Sequence, residues 1–206
     1  MTQPSATSLQ ALAQIIETCQ NCPLSGSRGK AVPGQGASTS DLFFIGEAPG
    51  SREDRQGVPF VGAAGKLLDL LLAEIALSRT DIFITNMVKC RPPNNRDPLP
   101  EEVSACSQYL ESQIAAVSPK IIVTLGRHAF NRFFPGESIM KARGEIRSFG
   151  ELRIFPVLHP AAALYRRELQ SVLKEDFAKL RELLNEFEVS VDADSDGDDS
   201  AQLTMF

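Results

Sequence analysis

Apolar residues fall along this chain in two rhythms. Short unbroken runs of β-branched and aromatic residues predict strands over Leu42–Gly46, Ile82–Asn86, Ile121–Gly126, Glu145–Phe149 and Arg153–His159. Between and around them, longer stretches with helical spacing predict helices over Ser8–Thr18, Ala63–Leu77, Pro100–Val117, Arg127–Phe133 and Glu168–Phe187. Pro100 suits a first helical turn, and Glu101 and Glu102 favour the positive end of the helix it opens. Strands alternating with helices imply an α/β domain in three layers, α/β/α, around a central, mainly parallel sheet. No internal repeat is visible.

Composition narrows the class. With 206 residues, 43% hydrophobic and 23% charged, the chain can bury a substantial core and is neither wholly disordered nor collagen-like. The net charge of −5 belongs to the end of the chain: residues 191–206 hold five aspartates and no Lys or Arg, leaving 21 acidic against 21 basic residues before them. The acidity therefore does not argue against a nucleic-acid partner. Basic groups cluster at Arg52 and Arg55, at Lys89, Arg91 and Arg96, at Lys141, Arg143 and Arg147, and at Arg166–Arg167. Each suits phosphate contacts and equally suits plain solvated surface. The N-terminus lacks the basic-then-apolar pattern of a secretory signal, and the greasiest stretch, Leu67–Ile75, is broken by Asp69 and Glu74. The expectation is a soluble protein with no membrane role, working in the cytoplasm.

Cys19, Cys22, Cys90 and Cys106 form a C-x2-C knuckle followed, far along the chain, by a C-x15-C pair. In a reducing compartment, ligation of a metal is a sharper reading than disulfides. Spacing alone leaves zinc and a 4Fe–4S cluster both open, with four unrelated buried thiols as the bland alternative. Three predicted strands also end in polar groups: Glu47 after the first, Asn86 on the second and His159 on the last. Singly, each fits turn or capping chemistry. Together they place a carboxylate, an amide and an imidazole at one sheet edge, where ligands of parallel sheets gather. The loop Gly57-Val58-Pro59-Phe60-Val61-Gly62 offers an aromatic as either core anchor or stacking platform.

The elements Gly46-Glu47-Ala48-Pro49-Gly50, Pro59-Phe60-Val61-Gly62, Thr85-Asn86 and His159-Pro160-Ala161-Ala162-Ala163-Leu164, with the four cysteines, closely resemble the iron–sulfur, family-4 uracil-DNA glycosylases. The resemblance covers about residues 10–185. It implies the uracil-DNA glycosylase-like fold over residues 1–188 and a 4Fe–4S cluster on Cys19, Cys22, Cys90 and Cys106. The implied activity is hydrolysis of the N-glycosidic bond of deoxyuridine in DNA, without a lyase step, to start base-excision repair. Such an enzyme flips the nucleotide into a pocket. Here Ala48, Glu53, Phe60, Asn86 and His159 would bind uracil. Phe60 would stack on the base, Asn86 would accept from N3–H and donate to O4, and Glu53 would crowd out thymine's methyl group. Glu47 and His159 would be catalytic, one holding the attacking water and the other donating to uracil O2. Leu164 would be a wedge into the vacated stack, with Arg166 or Arg167 on phosphate. A rival in another class is a catalytically silent iron–sulfur DNA-binding or redox-sensing protein on the same scaffold.

Residues 189–206 turn to Asp, Ser, Gly and Ala and are expected to form a disordered acidic tail. Its end, Gln202-Leu203-Thr204-Met205-Phe206, resembles the peptide with which bacterial repair enzymes dock on the replication sliding clamp. Gln202 would enter a polar subsite, and Leu203, Met205 and Phe206 a hydrophobic groove. The expected partners are thus uracil-containing DNA and the clamp, engaged by a monomer at the bacterial nucleoid.

Overall fold

The structure, a computed structural model, describes residues 8–195, with side chains as far as residue 187. Among the described residues six strands form one sheet: β1 (Gln35–Gly36), β2 (Leu42–Gly46), β3 (Ile82–Asn86), β4 (Ile121–Leu125), β5 (Arg147–Phe149) and β6 (Leu152–Val157), in the order β1-β3-β2-β4-β6-β5. The inner four run parallel, Leu42 standing opposite both Ile82 and Ile121, and Ile122 opposite Ile154. β1 and β5 close the two edges antiparallel. The α-helices are α1 (Leu9–Thr18), α2 (Ser51–Gln56), α3 (Ala63–Glu74), α4 (Pro100–Val117), α5 (Arg127–Asn131), α6 (Ile139–Ala142), α7 (Pro160–Tyr165) and α8 (Glu168–Ser195).

The unbroken apolar runs are explained by burial on both sheet faces, as parallel sheets require. Alternate residues of β2 separate the layers: Leu42 and Phe44 pack with α3, α7 and α8, whereas Phe43 and Ile45 pack with α4 and α5. A third, smaller core joins Ile16 and Leu24 to Val88, Cys90, Cys106 and Tyr109. This is the expected three-layer α/β/α arrangement.

The differences from the predicted elements are local. The helix expected to reach Leu77 stops at Glu74, because Ala76 turns left-handed at φ 56°. The strand expected from Glu145 begins at Arg147, after Gly144 at φ 70°. The last helix continues to Ser195 and so takes in the first part of the segment expected to be an unstructured tail. The clamp-like peptide Gln202–Phe206 lies outside the described residues.

Members of two of the basic clusters are committed to the fold. Lys89 is buried, its Nζ donating to Thr85 Oγ1 at 2.7 Å, Asn86 O at 2.8 Å and Gln113 Oε1 at 2.7 Å, so it cannot reach a phosphate. Burial pushes its pKa down to about 7. Arg143 grips the wholly buried Asp176 of α8 through two bonds of 2.9 and 2.8 Å, and Arg147 pairs with Glu137. Breaking a buried pair strands its partner, so Arg143→Met is expected to destabilise the fold by about 3–5 kcal/mol. A urea titration that finds less than about 1 kcal/mol would show that the pair is not a structural tie.

Candidate functional site

β2 lies between β3 and β4, so its outgoing connection turns one way and that of β4 turns the other. A crevice opens beyond the carboxyl ends of strands at such a switch point. Glu47 follows β2, Asn86 ends β3, Arg127 and His128 open α5 after β4, and His159 caps α7 after β6. A cleft of ≈ 620 Å³ is lined by Glu47, Ala48, Glu53, Phe60, Asn86, His159 and Leu164. The structure therefore brings all five residues expected to bind uracil to one place.

Backbone bonds from Met87 N to Gly46 O (2.9 Å) and from Val88 N to Glu47 O (3.2 Å) extend the β2–β3 pairing past both strands. They fix Glu47 beside Asn86. The Asn86 side chain is 2% exposed and its amide makes no hydrogen bond among the described residues, leaving it available to a ligand in the cleft. Phe60 is buried, yet adopts a left-handed φ of 53°, unusual for an aromatic residue. Arg79 holds it there, donating to Pro59 O at 2.9 Å and to Phe60 O while pairing with Asp69 at 2.6 Å. Gly65 lets the Phe60 carbonyl approach α3, since any Cβ there would collide with it. Glu53 Oε1 accepts from Gly62 N at 2.8 Å, tying α2 to the same loop.

The Phe60 ring lies nearly parallel to the His159 ring, with centroids 5.9 Å apart and planes at 27°. His159 Nδ1 accepts from Ala161 N at 3.1 Å, which leaves the imidazole proton on Nε2. Burial pushes the His159 pKa down to about 4, so the ring is a neutral donor near neutral pH. Glu47 is partly exposed, and burial raises its pKa, with His128 opposing and Asp97 reinforcing that shift. Leu164 is 42% exposed and its neighbour Tyr165 90% exposed, both at the rim and followed by exposed Arg166 and Arg167. The loop after Cys90 contributes Pro92, Asn95 and Arg96 to the lining of the same cleft.

Sequence reasoning missed Arg79, Asp97, His128 and Tyr165. One signal was available for His128: the chain has only two histidines, and both lie at this site.

The four cysteines come together in a separate pocket. Cys19 caps α1, Cys22 precedes the short 3-10 turn Pro23–Gly26, Cys90 follows β3 and Cys106 lies on α4. All four line one pocket with Ile16, Leu24, Val88 and Tyr109. Burial raises the Cys90 thiol pKa and pushes that of Cys106 up to about 11, so ionising them as ligands needs a cationic centre. Arg28 donates to Cys90 Sγ at 3.2 Å and to Cys19 O at 2.8 Å. Among the described residues no three of these sulfurs lie within 4.8 Å of one another. A single tetrahedral zinc, with Zn–S near 2.3 Å, would draw sulfurs to about 3.8 Å apart.

The described residues contain no helix long and apolar enough to cross a membrane. Residues 33–188 match the family model of the uracil DNA glycosylase superfamily. A type-4 uracil-DNA glycosylase of Saccharolobus solfataricus is 49% identical over 194 residues, covering 89% of this chain and 90% of its own. Its counterpart in Sulfurisphaera tokodaii is 50% identical over 186 residues, covering 85% and 84%. That of Archaeoglobus fulgidus is 45% identical over 185 residues, covering 85% and 93%.

Proposed function

This chain belongs to the uracil-DNA glycosylase superfamily, and on that basis we propose that it hydrolyses the N-glycosidic bond of deoxyuridine in DNA. The observation that carries this reading is the His159 tautomer: a neutral imidazole with its proton on Nε2, in one cleft with Glu47, Phe60 and Asn86. A silent binding module has no need of that set.

The base is flipped from the duplex and stacks on Phe60. Asn86 accepts from uracil N3–H and donates to O4, while cytosine presents the reverse pattern at those atoms. A mismatch strands polar groups at roughly 1–3 kcal/mol each. Glu53, held against Gly62 N, borders the space where thymine carries its methyl group. As the C1′–N1 bond breaks, its electron pair leaves with the base and His159 Nε2–H donates to the charge growing on O2. Glu47 holds the water that adds to C1′, takes its proton and favours the cationic sugar. The products are free uracil and an abasic site, with no lyase step. Leu164 fills the gap in the stack, Arg166 or Arg167 holds phosphate, and the loop carrying Arg96 faces the DNA.

The four cysteines hold a 4Fe–4S cluster, which supplies a covalent brace between α1, α4 and the loop after β3. The four-thiol donor set, gathered on one pocket among Ile16, Leu24 and Val88, supports this. The segment Gln202–Phe206 binds the replication sliding clamp while a monomeric catalytic body works on DNA. Deleting residues 202–206 is expected to abolish clamp binding, measured by surface plasmon resonance, and to leave excision on short oligonucleotides unchanged. Equal clamp affinity after truncation would sink that assignment.

The test of function is alkali-revealed strand cleavage of uracil-containing oligonucleotides by protein purified without oxygen, with iron and sulfide assayed in parallel. Cleavage at uracil but not at thymine or cytosine is expected. No cleavage by protein holding about four irons would instead favour a binding module.

A further inference from the structure

His128 is not among the residues lining the cleft, yet it lies within ion-pair distance of Glu47. Its Nε2 lies 3.2 Å from Asp97 Oδ2 and 3.6 Å from Glu47 Oε2. Arg127, the residue before it on α5, donates from Nε to the same nitrogen at 3.1 Å and reaches Asp97 at 3.5 Å. A neutral imidazole uses Nε2 to accept from Arg127, whereas a protonated one would turn it toward Asp97, with Glu47 at ion-pair distance. The junction is thus built around a ring nitrogen that can hold either state.

Three ligand atoms this close, from Glu47, Asp97 and His128, also have the proximity of a divalent-cation site. The Arg127 guanidinium, 3.5 Å from Asp97, already provides counter-charge there and disfavours a further cation.

We infer that His128 is a positioning residue for base excision: its imidazolium, seated between Asp97 and Glu47, keeps the water-holding carboxylate ionised and oriented. This rests on the role proposed above for Glu47. Burial works against that ionisation, and so does Asp97; His128 and Arg127 oppose them. The same charge disfavours an imidazolium at His159, which donates to the leaving base as a neutral ring in the mechanism proposed above. One side chain therefore favours the required state of both reacting partners. The groups facing it are Glu47 after β2, Asp97 before α4, Arg127 beside it on α5 and His159 at the start of α7.

The sign of the effect follows. Excision needs Glu47 ionised, and removing the positive charge raises its pKa, so activity is lost on the acid side first. Well above its pKa Glu47 is ionised with or without that neighbour, so there the loss shrinks. Each unit of Glu47 shift changes its ionised fraction about tenfold below its pKa.

Single-turnover excision of uracil from an oligonucleotide, followed from about pH 5 to pH 9, is the measurement, with wild type, Glu47→Gln, His128→Gln and His128→Lys compared as cluster-loaded protein. His128→Gln is expected to lose about tenfold or more at the acid end and less than about threefold at the alkaline end, with affinity for an uncleavable DNA analogue unchanged. His128→Lys, which keeps the charge, is expected to recover most of the acid-side rate. Equal deficits for both variants at every pH, or no deficit in His128→Gln, would overturn the inference alone. Full activity of Glu47→Gln, or no excision by wild type, would overturn the reading of the site on which it rests.

Discussion

His159→Ala is expected to slow uracil excision by roughly 100- to 1,000-fold with little change in DNA affinity. The Nδ1 contact to Ala161 N leaves only Nε2–H to donate, and with a pKa pushed down to about 4 the ring stays neutral over the working range. Its hydrogen bond therefore strengthens as charge gathers on O2, and little of it is expressed when DNA first binds. Alanine also removes the cap on α7, typically worth about 1 kcal/mol. His159→Asn, which can still accept from Ala161 N, separates the two effects. Single-turnover rates beside anisotropy titrations with an uncleavable analogue are the readout. A normal rate in either variant would remove His159 from the chemistry.

Gly46→Ala is expected to be at least as damaging, for a purely steric reason. Gly46 ends β2 with its α-carbon against the Asn86 amide and the Phe60 ring. A Cβ there would collide with Asn86 Oδ1 and stand 2.6 Å from Phe60 Cζ. Backbone strain is not the issue, because Gly46 is not among the glycines with positive φ. The added methyl group pushes the stacking ring and the base-reading amide apart. The fold should lose only about 1–3 kcal/mol by overpacking, while excision falls below about 1% of wild type. Thermal melting paired with excision rates checks this. A folded variant with activity within a few-fold of wild type would show that the base binds elsewhere.

Much of this was legible in the chain because parallel strands are buried on both faces and so read as unbroken apolar runs. The expected Leu42–Gly46 and Ile82–Asn86 match the strands residue for residue. Helix α4, opened by Pro100, is matched at both ends. α2, α6 and α7, of four to six residues, are too short for a helical rhythm to emerge, and β1 has only two residues. At the site, Glu47, Asn86 and His159 could be found because each stands at the end of its strand. The pairing of His128 with Asp97 could not, since 30 residues separate them and only the fold makes them neighbours. Lys89 misled for the opposite reason. Beside Arg91 it reads as surface charge, whereas three acceptors draw it inside and make it a strut beneath Asn86.

The left-handed turn at Phe60 bears on redesign. A bulky residue in that conformation gives up roughly 1–2 kcal/mol that glycine, and largely asparagine, would not. A Phe60→Gly variant would relieve that strain but empty a place in the core, a loss of about 3–5 kcal/mol, and so would melt lower. It would also lack the face proposed to take the flipped base. In this loop packing and the proposed stacking both hold the ring in its strained turn.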